Sequence, residues 1–214
     1  MILPFVIVSF SKVYIVCIYM LTGSLNIVPK TKPIVSIENV VASATVNQTV
    51  NLNQITQIFP DVEYHPDQFP GLVFRLKSPK TATLIFSSGK MVCTGAKSEE
   101  QAIKAVKNVV QKLKKGSIPI ENEPIIEIQN IVASASLGGK IHLELAARVL
   151  PRSMYEPEQF PGLIHRMLDP KTVILLFASG KLVCTGAKKE SEVYRAVSNL
   201  HSLLEEKNLM IYDG

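Results

Sequence analysis

The feature that most constrains this chain is an internal repeat. The stretch IENVVASATV, beginning at Ile37, aligns without a gap on IQNIVASASL, which begins 91 positions later at Ile128. In the same register, PKTATLIFSSGKMVCTGAK from Pro79 aligns on PKTVILLFASGKLVCTGAK from Pro170. Two copies are too few for a solenoid, so the repeat predicts two pseudo-symmetric halves that join near GSIPIENEP. We place an apolar N-terminal extension of uncertain role at residues 1–30, the first repeat at 31–120 and the second at 121–214.

Each half contains the same predicted series of elements. VSIENVVASATV is rich in β-branched residues and alternates in polarity, which predicts a long strand. Asn51 is suited to cap a short helix, and Ser98 to cap a longer amphipathic helix that ends at Gly116. Between the two helices lie four short extended segments, VEYHP among them, separated by Pro or Gly turns. Five strands and two helices in each half predict an α+β fold.

The predicted strands carry large apolar side chains on both of their faces. In TATLIFSS, Leu84 and Ile85 point in opposite directions, and so do Val40 and Val41 in NVVASATV. Two helices per half cover only one face of a sheet of this size. The other face is left apolar, which is typical of an interaction surface. Basic residues edge that face: Arg75, Lys90, Arg166 and Lys181.

The net positive charge of the chain comes mainly from the first half. The chain is 47% hydrophobic and 19% charged, which is a globular composition, and its formal net charge is +5. Residues 30–122 hold 12 Lys and Arg against 7 Asp and Glu, whereas residues 123–214 hold 10 against 11. A basic half fits a nucleic-acid partner, although many basic proteins bind no nucleic acid.

Two loops place a large aromatic ring where burial is difficult. HPDQFPGLV carries Phe69 and EPEQFPGLI carries Phe160, each directly before a Pro-Gly pair. An aromatic ring on a loop tip is buried only if it packs into the hydrophobic core or against a binding partner. Phe86 and Phe177 lie mid-strand, where position alone would favour a core residue.

The first residues, MILPFVIVSFSKVYIVCIYML, are almost wholly apolar and near the length of a membrane span. No basic region precedes them, and no small-residue cleavage site stands out. We therefore expect Met1–Leu25 to be an upstream-start extension or an extra packed strand, not a membrane anchor.

No residue pattern in the chain points to a metal site or to catalysis. Cys93 and Cys184 occupy the same position in the two repeats, and Cys17 makes the count odd, so we expect buried thiols rather than disulfides. SSGKMVCTG lacks the spacing of a phosphate-binding loop. We therefore predict no metal, no cofactor and no enzymatic activity. The histidines form no cluster with Cys or carboxylates: His65, His142, His165 and His201.

An apolar face with basic edges suits the DNA minor groove, which offers apolar sugar edges, few acceptors and two phosphate rims. The segments QNIVASASL, QFPGLIHRM and LLFASGKLVCTGAK resemble the TATA-box-binding proteins, in particular their archaeal form. The first-repeat counterparts ENVVASATV, QFPGLVFRL and LIFSSGKMVCTGAK carry the same resemblance, which covers roughly Ile34–Leu209. It implies one continuous, curved antiparallel sheet, shaped like a saddle, with helices on the convex face only. It also implies a general transcription initiation factor that binds and bends A·T-rich promoter DNA.

The resemblance also assigns roles to individual residues. The aromatic residues that would wedge between base pairs are Phe69, Phe86, Phe160 and Phe177. The residues that would contact base edges are Asn39, Asn130, Thr94, Thr185, Val41, Val132, Val92, Val183, Leu84 and Leu175. The residues that would contact the DNA backbone are Arg75, Lys90, Ser88, Arg166, Lys181 and Ser179.

The family docks transcription factor B on the loop that is YEPEQFPG here, so the resemblance implies that Glu156 and Glu158 contact this partner and, through it, RNA polymerase. The first-repeat loop has His65 and Asp67 at the same places, a different charge pattern. The implied location is the cytoplasm, on the nucleoid, with a homodimer as an option for the free protein. The alternative is a protein-interaction or ligand-binding module of the same saddle fold, since a fold does not determine a function.

Overall fold

The computed structural model describes residues 31–212 of the 214. The predictions for Met1–Leu25 and Cys17 lie outside the described residues. Within residues 31–212, no helix is both long and apolar enough to cross a bilayer. The first repeat contains β1 (Ile34–Thr45), α1 (Leu52–Ile58), β2 (Leu72–Lys77), β3 (Lys80–Ile85), β4 (Lys90–Ala96) and α2 (Glu99–Lys115). The second repeat contains β5 (Ile125–Ser136), β6 (Lys140–Ile141), α3 (Leu143–Val149), β7 (Ser153–Met154), β8 (Leu163–Leu168), β9 (Lys171–Leu176), β10 (Lys181–Ala187), α4 (Glu190–Glu206) and β11 (Met210–Ile211).

Nine strands form one antiparallel sheet in the order β2-β3-β4-β1-β5-β10-β9-β8-β7, and β11 pairs with β6 in a small second sheet. The first strands of the two repeats, β1 and β5, pair with each other, from Ile34 opposite Ser136 to Thr45 opposite Ile125. A pseudo-two-fold axis therefore passes between β1 and β5. The predicted α+β fold, with two repeats sharing one continuous saddle-shaped sheet, is confirmed.

The helices cover one face of this sheet and bury its apolar side chains. In β1, Val40 and Ala42 are fully buried, and in α2 the buried side chains include Val106 and Leu113. Burial of a Val or Leu side chain of this kind stabilises the folded state by about 1.5–3 kcal/mol. The opposite face, called the open face below, is apolar but not covered by helices, as the alternation predicts. Its half-buried aliphatic residues include Val41, Leu84 and Val92 with their counterparts Val132, Leu175 and Val183.

The prediction of five strands in each repeat is wrong: among the described residues the first repeat has four strands and the second has seven, two of which form the small second sheet. The segment VEYHP contributes only a single bridge, from Glu63 to Val73, and the equivalent segment of the second repeat gives the two-residue strand β7. Prolines flank both segments, and a proline cannot donate to the ladder, so pairing stops after one or two residues. These prolines are Pro60, Pro66, Pro151 and Pro157.

Both predicted helix caps in the first repeat are confirmed. The Asn51 side-chain oxygen accepts from the Gln54 N–H at 3.2 Å, and the Ser98 hydroxyl accepts from the Gln101 N–H at 3.1 Å. The second repeat differs, because Lys189 at the start of α4 has no side-chain acceptor to offer. The chain before α4 is held instead by Glu192, whose carboxylate accepts from the Lys188 and Lys189 N–H groups.

The thiols of Cys93 and Cys184 are buried, as predicted. Burial raises the pKa of the Cys184 thiol to about 11 and shifts the pKa of Cys93 in the same direction. Because the thiolate is the reactive form, we expect iodoacetamide at pH 8 to leave both residues unmodified in the folded protein. In denaturant both should be alkylated, as read by peptide mass spectrometry. Rapid modification of either residue without denaturant would contradict this burial.

Candidate nucleic-acid interface

An apolar strip runs across the strands of the open face. Leu84 on β3 lies opposite Val92 on β4, and Val92 lies opposite Ser43 on β1. The register is the same in the second repeat, so the strip continues on the other side of the pseudo-two-fold axis. Its members there are Leu175, Val183 and Ser134.

Two Asn–Thr pairs lie within this strip. The Asn39 Nδ2 and Thr94 Oγ1 atoms are 3.1 Å apart, and the Asn39 Oδ1 atom accepts from the Gly95 N–H at 2.7 Å. Asn130 repeats this arrangement, with the Thr185 Oγ1 at 3.2 Å and the Gly186 N–H at 2.8 Å. The backbone N–H requires the amide oxygen, so it determines which way each amide points. Each amide nitrogen therefore keeps one hydrogen for an acceptor on the open face.

The two Asn residues are also close to the centre of the sheet. Asn39 lies opposite Val132, and Val41 lies opposite Asn130, across the β1–β5 pair. Each donor therefore has an apolar neighbour from the other repeat. The predicted residues are brought together, and their contacts with bases stay predictions.

The predicted phenylalanines form one pair in each repeat. The Phe69 and Phe86 ring centroids are 5.9 Å apart, and those of Phe160 and Phe177 are 5.8 Å apart, both edge to face. Phe69 is 41% exposed, and the other three rings are half-buried. Phe86 and Phe177 do not lie mid-strand as predicted, because β3 ends at Ile85 and β9 at Leu176. Each ring packs against a loop ring on the open face and is not a core residue.

The glycine after each Phe-Pro makes room for the ring. A Cβ atom at Gly162 would lie 2.7 Å from Phe160 Cε1 and 3.1 Å from Phe177 Cε1. At Gly71 the same atom would lie 2.6 Å from Phe69 Cε1 and 3.0 Å from Phe86 Cε1. These glycines were not among the predicted site residues. The Pro-Gly pair that follows the phenylalanine in both loops was the sequence signal that could have identified them.

Two hollows on the open face bring one ring of each pair, Phe86 or Phe177, together with residues predicted to contact DNA. Phe86 lines one hollow with Ser88 and Lys90, and Ile125 of the second repeat lines it as well. The other hollow contains the counterparts Phe177, Ser179, Lys181 and Ile34. Ile34 and Ile125 are 76% and 57% exposed, and the sequence predictions did not include them. Each of these isoleucines lines the hollow that contains a phenylalanine of the other repeat. Only the β1–β5 pairing reveals this arrangement.

Arg75 and Arg166, the two arginines predicted to contact the DNA backbone, differ in their surroundings. The Arg75 guanidinium donates to both Glu63 carboxylate oxygens, at 3.0 and 3.2 Å, and holds the pKa of that carboxyl below its usual range. Met154 replaces Glu63 in the second repeat, and no carboxylate pairs with Arg166 among residues 31–212. Arg166 is therefore available to a phosphate, whereas Arg75 must first exchange its partner.

A carboxylate also lies on the open face, and the sequence predictions missed it. The Glu38 side chain accepts from the Ser134 hydroxyl at 2.7 Å and pairs with the Lys97 ammonium at 2.9 Å. Hydrogen bonds from Ser134 and Lys97 lower the Glu38 pKa to about 2, so its charge persists at neutral pH. Strict alternation would put Glu38 and Asn39 on opposite faces. The register shifts between Ile37 and Asn39, and this bulge brings both residues to the same groove.

The two loops that carry Phe69 and Phe160 share one backbone conformation. The Phe69 N–H donates to the His65 carbonyl at 2.9 Å, and the Phe160 N–H donates to the Glu156 carbonyl at 3.0 Å. The side chains of Glu156 and Glu158 are exposed. The loops therefore differ in charge and not in shape. Among residues 31–212, no three His, Cys, Asp or Glu side chains lie together as a metal site would require.

Comparisons with known proteins agree with this geometry. The family described as "Transcription factor TFIID (or TATA-binding protein, TBP)" matches residues 34–116 and 125–207. A TATA-box-binding protein of Pyrodictium occultum is 57% identical over 175 residues, covering 82% of this chain and 88% of the relative. One from Sulfolobus acidocaldarius is 55% identical over 175 residues, covering 82% and 89%. The solved structure "Methanococcus jannaschii TBP" superimposes with a TM-score of 0.73 at 46% identity, covering 80% of this chain and 98% of that one. This chain belongs to the TATA-box-binding protein family.

Proposed function

We propose that this protein is a general transcription initiation factor that binds and bends A·T-rich, TATA-box promoter DNA through the minor groove. One observation carries the proposal: the open face holds, at pseudo-symmetric positions, two Asn–Thr pairs and two phenylalanine pairs within an apolar strip. The named relatives, all TATA-box-binding proteins, support the same function. In this proposal residues 31–120 and 121–214 each form one DNA-binding repeat.

Selection of A·T pairs follows from what the open face offers. The minor-groove edge of an A·T pair presents only acceptors, A N3 and T O2, while a G·C pair adds the G N2 amino donor. Asn39 and Asn130 each keep one N–H for such an acceptor. The surrounding Val and Leu side chains provide no acceptor for an amino group, so a G·C pair would bury its donor unpaired. An unpaired buried donor costs about 1–3 kcal/mol.

Bending follows from the ring pairs. Minor-groove proteins, of which this family is a reference example, insert apolar side chains between base pairs and open the step towards the major groove. Phe160 and Phe177 would insert at one end of the site, and Phe69 and Phe86 at the other. Phosphate contacts would come from the basic and hydroxyl side chains around these pairs: Arg75, Lys90, Ser88, Arg166, Lys181 and Ser179.

A nearly symmetric saddle needs a second partner to fix its direction on DNA. We assign this role to the exposed carboxylates Glu156 and Glu158, which would contact transcription factor B and so recruit RNA polymerase. The corresponding positions of the first repeat hold His65 and Asp67, which present a different charge pattern on the same loop shape. The protein would act on the nucleoid, without a cofactor and without catalysing a reaction.

The proposed function is tested by a gel shift with two duplexes that differ only at the central step. We expect tight binding to the A·T-rich duplex and binding weakened at least tenfold when the central step is G·C, since each mismatched pair costs about 1–3 kcal/mol. Equal binding to both duplexes would reject minor-groove selection. It would favour the interaction-module alternative.

Substitution of Gly162 by Ala tests the wedge without removing a ring. The new Cβ would lie 2.7 Å from the Phe160 ring, so the ring must leave its place against Phe177. We expect a smaller DNA bend, measured by end-to-end fluorescence transfer, with the melting temperature of the free protein lowered by only a few degrees. Gly71→Ala is the matched change at the other end. An unaltered bend in both variants would show that the ring positions do not matter.

A further inference from the structure

The two long helices are joined directly at their first residues. The Glu99 N–H donates to the Glu190 carboxylate at 2.8 Å, and the Glu190 N–H donates to the Glu99 carboxylate at 2.6 Å. Both residues are partly buried, and they are 91 positions apart in the chain. The two bonds are therefore symmetric partners across the pseudo-two-fold axis, and each one connects the first repeat to the second.

The packing of the two long helices brings their first residues close together. Helix α2 packs on β5 as well as on its own strands, and α4 packs on β1 as well, so both helices start above the β1–β5 pair. A helix start carries partial positive charge and unpaired N–H groups, and two such ends repel each other. Each glutamate places a carboxylate against the other helix start and forms a charge-assisted hydrogen bond. The pair thus stabilises the approach of two ends that would otherwise separate.

The ladder between the repeats does not by itself fix their angle. The β1–β5 register shifts twice, between Ile37 and Asn39 and between Val41 and Ala42, and bulges allow a strand pair to bend and twist. On the open face the junction is tied by side chains, since Ser134 donates to Glu38 and Gln129 donates to Ser43, both at 2.7 Å. The glutamate pair is the matching tie on the helix side.

We propose that Glu99 and Glu190 are positioning residues that set the angle between the repeats, and hence the distance between the two phenylalanine pairs, before DNA binds. This inference rests on the proposed function in one respect only: the distance matters because the two phenylalanine pairs are proposed to insert into DNA. A saddle whose halves are already oriented loses less conformational freedom on binding, which favours affinity. Without the pair the helix starts move apart, the convex side lengthens and the loop tips approach each other.

The distance between the loop tips tests the proposal in the free protein. Gln68 and Gln159, which are exposed and next to Phe69 and Phe160, are changed to Cys and spin-labelled, with Cys17 changed to Ser. Cys93 and Cys184 are buried and stay unlabelled. We expect a single narrow distance distribution by electron–electron double resonance, and a broader, shorter one after Glu99→Ala and Glu190→Ala together. Glu99→Gln with Glu190→Gln keeps an acceptor oxygen at each position and should restore the narrow distribution.

Ser98→Ala is the matched control. It removes the α2 cap on Gln101 but no contact across the axis, so it should lower the melting temperature and leave the tip distance unchanged. An unchanged distribution in the double Ala variant, or an equal change in Ser98→Ala, would overturn the positioning role. The same variants are then titrated with A·T-rich DNA, where we expect the double Ala variant to bind about five- to tenfold more weakly. If the unsubstituted protein fails to bind this DNA, the proposed function fails while the distance result still decides the inference.

Discussion

Replacing Phe160 and Phe177 together by Ala is expected to weaken binding to an A·T-rich duplex by roughly 30- to 150-fold, about 2–3 kcal/mol, because no ring then compensates for the unstacked base step. The DNA bend should fall in parallel. The fold should lose little stability. Removing an edge-to-face pair lowers the free energy of unfolding by about 0.5–1.5 kcal/mol beyond the contribution of its buried area, which is a few degrees of melting temperature for a chain of this size. Affinity, bend and melting temperature are measured on the same preparations.

The chain supplies a matched aromatic pair on the helix side of the sheet. Phe59 and Phe74 also meet edge to face, with centroids 5.3 Å apart, and Phe74 is only 5% exposed. Phe74→Ala should destabilise the fold by about 3–5 kcal/mol, because it leaves a cavity. If Phe160→Ala with Phe177→Ala lowered the melting temperature as much as Phe74→Ala does, the open-face rings would be structural and not wedges.

Substitution of Asn130 by Asp is expected to weaken DNA binding by about 100-fold or more, because a carboxylate has no N–H for the minor-groove acceptors and its charge repels them. The fold should tolerate the change, since the Gly186 N–H that now donates to the Asn130 oxygen at 2.8 Å can donate to a carboxylate oxygen as well. Binding is measured by fluorescence anisotropy at fixed salt. Asn39→Asp should have a similar effect in the first repeat.

Asn199→Asp controls for the added negative charge. Asn199 is exposed on α4, on the helix side of the sheet, so this variant changes net charge equally without touching the open face. We expect it to weaken binding only about twofold, through the general field of the protein. A comparable loss in both variants would mean that Asn130 contributes charge alone and reads no base.

The repeat made most of the fold predictable. Alternation in NVVASATV and TATLIFSS placed Val40 and Val41, and likewise Leu84 and Ile85, on opposite faces, and the structure confirms this: Val40 and Ile85 are buried, and Val41 and Leu84 lie on the open face. The caps at Asn51 and Ser98 followed from local hydrogen bonding alone. The number of strands was less predictable, because the prolines beside VEYHP limit its pairing to one bridge. Local patterns are reliable where neighbouring residues decide the outcome.

The site was predictable in its members and less so in its surroundings. Asn39 with Thr94 and Phe69 with Phe86 are neighbours as the resemblance implied. Glu38 was missed because a bulge breaks the alternation on which the prediction depended. A bulge is decided by the pairing of two strands, and one strand's sequence does not specify it.

The sequence by itself determined two pseudo-symmetric halves, a buried and an open sheet face, and a set of side chains suited to the minor groove, because periodicity and repetition are properties of the chain. Only the tertiary structure decided how the halves meet. The pairing of β1 with β5 places Ile34 in one hollow with Phe177 and Ile125 in the other with Phe86, and it brings Glu99 to Glu190. These contacts join distant parts of the chain, and Glu99 and Glu190 are 91 positions apart. Their partners depend on the twist and register of a whole sheet, which no local sequence window contains.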